Sequence, residues 1–129
     1  MRLPDWPERL AAYLAVRERT PFEYGVNDCV LFAAGAVEAM TGVRPALPRW
    51  RTQRQAAALL LRRGGILEAT AAVLPACPLG LAQRGDLAVC EAVDGPALLV
   101  IEGATLIGPG ASGLTRWPRA AAYAAFRVE

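Results

Sequence analysis

The hydrophobic period of this chain changes once, and that change limits the folds open to it. As far as about residue 73, apolar residues recur at helical spacings of three and four. Beyond residue 85 they fall in short aliphatic and aromatic runs separated by turn residues. Helices first and antiparallel strands afterwards define an α+β domain, with N-terminal helices packed on a small antiparallel sheet. A chain of 129 residues buries roughly two-thirds of its unfolded surface, so a single domain over residues 1–129 around one core is expected.

Asp5, followed by Pro7, Glu8 and the series Leu10, Tyr13, Leu14, predicts a capped first helix running to about Arg19, where Thr20-Pro21 stops it. Residues 21–27 read as a loop, and the next helix starts at Asn27 or Asp28. Cys29, Phe32, Ala33, Ala36, Val37 and Met40 make that helix almost wholly apolar, hence central, and Thr41-Gly42 ends it. Thr52-Gln53-Arg54-Gln55 is a capping box for a third helix that ends at Gly64-Gly65, and a short fourth turn is expected at 67–73. Strands are expected at 86–90, 98–102, 105–107 and 123–128, separated by Asp94-Gly95-Pro96, Gly103 and a glycine-proline loop.

The longest uncharged stretch, 69–83, contains Pro75 and Pro78 and falls short of the roughly 20 apolar residues a bilayer span needs, so no membrane span is expected. The first residues carry an acid and two prolines where a secretory signal would be apolar, which places the expected start of the chain in the cytoplasm. Cys29, Cys77 and Cys90 form neither a CxxC pair nor an even set, and there is no histidine; free thiols, no zinc or other metal and no cofactor are expected. The fourteen basic residues are all arginine and alanine occurs twenty-six times, which reads as the coding bias of a GC-rich bacterial or bacteriophage genome.

The segment richest in chemistry is Phe22-Glu23-Tyr24-Gly25-Val26-Asn27-Asp28-Cys29, an aromatic-glycine loop that delivers a cysteine to the first turn of a buried helix. Free backbone N–H groups and the macrodipole favour a thiolate there, as a nucleophile requires. The competing reading is a small buried hydrophobe, since free cysteine is among the most buried residue types.

Here the chain resembles the NlpC-type papain-like cysteine peptidases, and within them a tailed-phage and prophage branch. Tyr24-Gly25 through Asp28-Cys29 looks like the nucleophile motif, Gly85-Asp86-Leu87 like the Gly-Asp-Leu that opens a strand, and Leu99-Val100-Ile101-Glu102-Gly103 like the strand that follows. The resemblance implies a papain-related, NlpC-like fold with Cys29 at the nucleophile position. It puts the histidine position on Ala97 and the third catalytic position near Ile107 or Gly108, so both partners of Cys29 are missing.

The physical consequence does not need the family. Acyl transfer through a cysteine takes a base to hold the thiolate and an acid for the leaving amine, and histidine serves because its pKa lies near 7. Asp28 next to the thiol would raise its pKa and protonate an amine poorly. The expected function is therefore a structural or assembly role, with Cys29 vestigial. The resemblance implies a tail-tip protein of a tailed phage, prophage or gene transfer agent. It would be found in the host cytoplasm during assembly and then in the virion tail, with hub or tape-measure proteins, or peptidoglycan, as partners. The alternatives are an active cysteine hydrolase that cleaves cell-wall peptides with Cys29 as nucleophile and a base from elsewhere, and an arginine-rich adaptor for nucleic acid or an acidic surface.

Two further patterns remain. Gly108-Pro109-Gly110-Ala111-Ser112-Gly113 matches the dinucleotide fingerprint, but no helix with a later acid can follow it, so it reads as a glycine-rich surface loop. Between Glu38 and Glu68 lie six arginines and no acid, with Trp50 among them. Trp50 with Arg49 and Arg51 is the expected exposed contact patch for a protein partner. Nucleic acid is not expected there, because one aromatic does not make a stacking platform.

Overall fold

The computed structural model describes residues 1–93 and 95–129. Helix α1 (Trp6–Arg17) starts with Pro7 and Glu8 in its first turn, where a missing N–H and a negative charge are both tolerated. Asp5 does not cap it; its carboxylate instead takes Arg9 Nε at 2.8 Å. The helix ends at Arg17, two residues short of the expected stop, and buries Leu10 and Leu14.

Helix α2 (Cys29–Thr41) is the centre of the molecule. Asp28 caps it in extended backbone, and Gly42 closes it in the left-handed region at φ +80, its N–H bonded to Glu38 O. Phe32, Ala33, Ala36 and Met40 are almost completely buried, because α1 packs on one flank of α2 and the sheet on the other. Helix α3 (Gln53–Arg62) begins with half of the expected capping box: Thr52 Oγ1 accepts Gln55 N, while Gln55 Oε1 reaches one residue past the N-cap and accepts Arg51 N. It buries only Ala56, so it lies on the periphery. Helix α4 (Ile66–Ala71) follows.

The strands are β1 (Ala76–Cys77), β2 (Leu87–Ala92), β3 (Gly95–Glu102), β4 (Thr105–Gly110), β5 (Gly113–Pro118) and β6 (Ala124–Phe126). They form one antiparallel sheet in the order β1-β6-β2-β3-β4-β5. Leu87, Val89, Leu98, Val100, Ile107 and Phe126 belong to the core shared with α2. The alternate residues Ala88, Cys90, Leu99, Ile101, Leu106 and Ala125 form a second apolar cluster with Cys77 and Ala82 on the other face. The described residues thus form an α+β domain of four α-helices and a six-stranded antiparallel sheet.

Two strands were not legible. β1 is two residues long between prolines. β5 begins at Gly113, ends at Pro118 and is only half-buried, as an edge strand can be. The glycine-proline segment read as a surface loop is instead the end of β4 and the start of β5, with Pro109 opposite Leu114. A tight strand-to-strand hairpin offers no helix N-terminus, which removes the dinucleotide reading on geometry. Of the turn expected at Asp94-Gly95-Pro96, Asp94 lies outside the described residues, while Gly95 and Pro96 open β3.

Candidate functional site

The loop before α2 is shaped by its own polar groups. Glu23 and Asn27 form an isolated antiparallel bridge, and Asn27 Nδ2 donates to the Thr20 and Pro21 carbonyls. The rings of Phe22 and Tyr24 meet edge-on at 4.7 Å. Asp28 is 1% exposed and uses both carboxylate oxygens: Oδ1 accepts Leu31 N at 2.9 Å, capping α2, and Oδ2 accepts Gly25 N at 2.9 Å, closing the loop. Gly25 stands at φ +77, where a Cβ would come within 2.7 Å of Arg51 Cα and 2.8 Å of Trp50 O. The aromatic-glycine and aspartate parts of the motif therefore have folding roles that do not depend on chemistry at the cysteine.

Cys29 follows that cap. The thiol is not activated by its place at the helix N-terminus: burial pushes its pKa up to about 11. The negative charge of Asp28 pushes the same way, and hydrogen bonding from the Leu98 and Val30 backbones offsets only part of it. What the strand presents to Cys29 is thus the backbone of Leu98, whose side chain lies in the same core. Ala97, the expected histidine position, packs in the opposite cluster and pairs across the ladder with Cys90. Ile107 shares the α2 core, while Gly108 lies against Leu99 and Trp117 on the other face. The sheet group that meets Cys29 is thus a backbone group, which is neither a base nor an acid at neutral pH.

The apolar residues that follow Cys29 on α2 predict that it is the most sheltered of the three thiols, and the structure orders them otherwise. Cys90 is fully buried in the middle of β2 and Cys77 is 7% exposed, whereas Cys29 is only half-buried. A helix-start residue has one side open to the preceding loop, however apolar the turns that follow it. Cys77 also receives Arg127 Nη2 at 3.2 Å. Among the described residues no group of three histidine, cysteine or carboxylate side chains could hold a metal ion, and no helix is long and apolar enough to cross a membrane.

The patch expected at residues 49–51 is corrected in one member. Trp50 is only 7% exposed and belongs to the core, while Arg49 and Arg51 are exposed. The extended segment between α2 and α3 alternates its sides, so Leu47 and Trp50 turn in while Arg49 and Arg51 turn out. Composition suggested an exposed tryptophan because irregular backbone carries no periodicity to assign it inward. The segment leaves shallow hollows over the outer side of α2. One, of about 380 Å³, is lined by Tyr13, Arg17, Asn27, Glu38, Arg44 and Arg49 among others. Another, of about 570 Å³, is lined by Gly25, Leu31, Arg49, Trp50, Arg51 and Gln55.

Fold and site together define an α+β domain with a cysteine just after the cap of its central helix, a backbone group of the sheet at the thiol and an arginine-lined face over the same helix. Residues 1–128 match the family DUF6950, a domain of unknown function, and the chain belongs to that family. No curated protein matches the chain.

Proposed function

We propose that the protein is a non-catalytic relative of the NlpC-type cysteine peptidases, acting as a structural or assembly component at the tail tip of a tailed phage, prophage or gene transfer agent. The observation that carries the non-catalytic part is the environment of Cys29. Its thiol is held protonated by burial, the sheet meets it with the Leu98 backbone, and the chain contains no histidine. A nucleophile in that state has neither a thiolate at neutral pH nor an acid for the leaving amine. The assignment to a tail rests on the motif resemblance at Tyr24-Gly25, Asp28-Cys29 and Gly85-Asp86-Leu87. Hub or tape-measure proteins are the partners it implies.

The test has two arms. Purified protein incubated with peptidoglycan and with its stem peptides should release no product, and particles purified from the source should contain the protein in fixed proportion to the tail proteins. Turnover that disappears in Cys29→Ser would overturn the non-catalytic reading in favour of an active hydrolase. Absence of the protein from intact tails would overturn the tail assignment.

A further inference from the structure

We infer that the arginine-lined face over α2 is a docking surface for an acidic, extended segment of a partner protein. The two hollows share Arg49, Leu31 and Gly25 and so form one continuous depression from the end of α1 to the start of α3. Arg17, Arg44, Arg49 and Arg51 line it. Among the described lining residues Glu38 is the only acid, and Arg44 already holds it at 3.3 Å. Arg49 and Arg51 are exposed and make no ion pair among the described residues, so their donors are free for carboxylates. The planar guanidinium matches a carboxylate in two parallel hydrogen bonds, which is why arginine is enriched in protein interfaces.

A second observation points to the same place. Nε1 of Trp50, a wall residue of the larger hollow, is the buried side-chain polar atom that meets no hydrogen-bond acceptor among the described residues. A buried donor left unpaired is destabilising, so a wall that shifts slightly to admit an acceptor recovers that loss on binding.

The depression favours a peptide over nucleic acid because no aromatic residue described in its lining offers an open face to a base. The Tyr13 ring is covered by the Arg17 guanidinium at 3.6 Å, Trp50 is in the core, and the edge-on pair Phe22 and Tyr24 is not among the lining residues. The inference holds whether or not the protein sits in a tail, and it does not involve Cys29.

The test uses the full chain with a short fluorescein-labelled peptide of alternating glutamate and serine, its glutamine counterpart, and a single-stranded oligonucleotide. The glutamate peptide should bind, with an affinity that falls as salt rises, and the glutamine peptide should not. Charge reversal by Arg49→Glu with Arg51→Glu should weaken binding by about tenfold or more, on the order expected for losing charge-assisted pairs. Reversal at Arg62 and Arg63, exposed at the far end of α3, should leave it within about twofold, a difference too small to signal a lost pair. The Trp50 indole N–H resonance, identified by its loss in Trp50→Phe, should shift with bound peptide. Unchanged affinity in the Arg49 and Arg51 variant, a stationary indole signal, or tighter binding of the oligonucleotide than of the peptide would each overturn the assignment.

Discussion

Arg2 and Asp86 meet in a buried ion pair, Nη2 to Oδ1 at 2.8 Å, at the point where both ends of the chain reach the start of β2. Asp86 is 1% exposed and also accepts Val128 N through Oδ1 and Gln83 N through Oδ2. Arg2 in turn donates to the Val128 and Arg84 carbonyls. Gly85 makes room for this knot: it stands at φ +92, where a Cβ would come within 2.8 Å of both Arg2 Nη1 and Met40 Sδ. Gly85-Asp86-Leu87 therefore has a mechanical meaning here, since it ties residues 2, 86 and 128 together beneath the last turn of α2.

Removing one partner of such a pair leaves the other charge buried without compensation. Asp86→Ala should cost about 3–5 kcal/mol, and Arg2→Ala less, because the Arg2 side chain retains some solvent contact. Urea denaturation checks the order. Equal and small losses for the two variants would show that the knot is not a folding element.

Trp50 and its neighbours separate packing from surface charge. Trp50→Ala empties a core position and should cost about 3–5 kcal/mol, whereas Arg49→Ala and Arg51→Ala should stay within about 0.5 kcal/mol of the parent. Thermal melts of the three variants give the comparison. A melt of Trp50→Ala like the parent's would place the indole outside the core.

Gly35 is fixed by Tyr13. A Cβ at Gly35 would collide with the Tyr13 hydroxyl and come within 2.9 Å of two ring carbons, while that hydroxyl donates to Phe32 O at 2.7 Å. Gly35→Ala should therefore lose roughly 1–3 kcal/mol by overpacking the α1–α2 contact. With Tyr13→Phe in the background the penalty should shrink, because the closest atom is gone. A double-mutant cycle reads that coupling, and simple additivity would mean the two residues do not constrain each other.

The helices were legible in the sequence because each carries its period and its punctuation. Asp28 and Gly42 bracket α2, Thr52 and Gln55 open α3, and those residues do in the structure what their types suggest. The sheet was half-legible. Residues 97–101 form a continuous aliphatic run covered on both faces, and a strand buried on both faces loses the alternation that tells inward from outward. The resemblance puts the histidine position on Ala97, and the run itself does not say which of its residues lie toward α2. The position of Asp28 beside Cys29 shows its effect on the thiol, while its hydrogen bond to Gly25 depends on a loop conformation that local sequence does not specify. The Arg2–Asp86 knot joins residues 84 positions apart, and no local pattern announces it.

The last prediction concerns the acid–base behaviour of Cys29. Burial raises its folded pKa to about 11, against roughly 8.5 for a free cysteine in the unfolded chain. The folded state disfavours the thiolate, so the stability linked to this group is fully present below the unfolded pKa. It is lost as the pH rises from there through the folded value, because the unfolded chain gives up its proton first. Stability of the parent should therefore fall in that alkaline window more steeply than that of Cys29→Ala, which has no proton to lose. Alkylation should report the same group from another side. At neutral pH Cys29 should react far more slowly than a free cysteine although it is not fully buried, and its rate should climb with pH well beyond the range in which an exposed thiol levels off. Peptide mapping by mass spectrometry distinguishes it from Cys90, which is fully buried and should stay unmodified while the protein is folded. Rapid alkylation of Cys29 near pH 7 would mean that the helix N-terminus outweighs burial at the thiol, and the case for an inert cysteine at the head of α2 would fall with it.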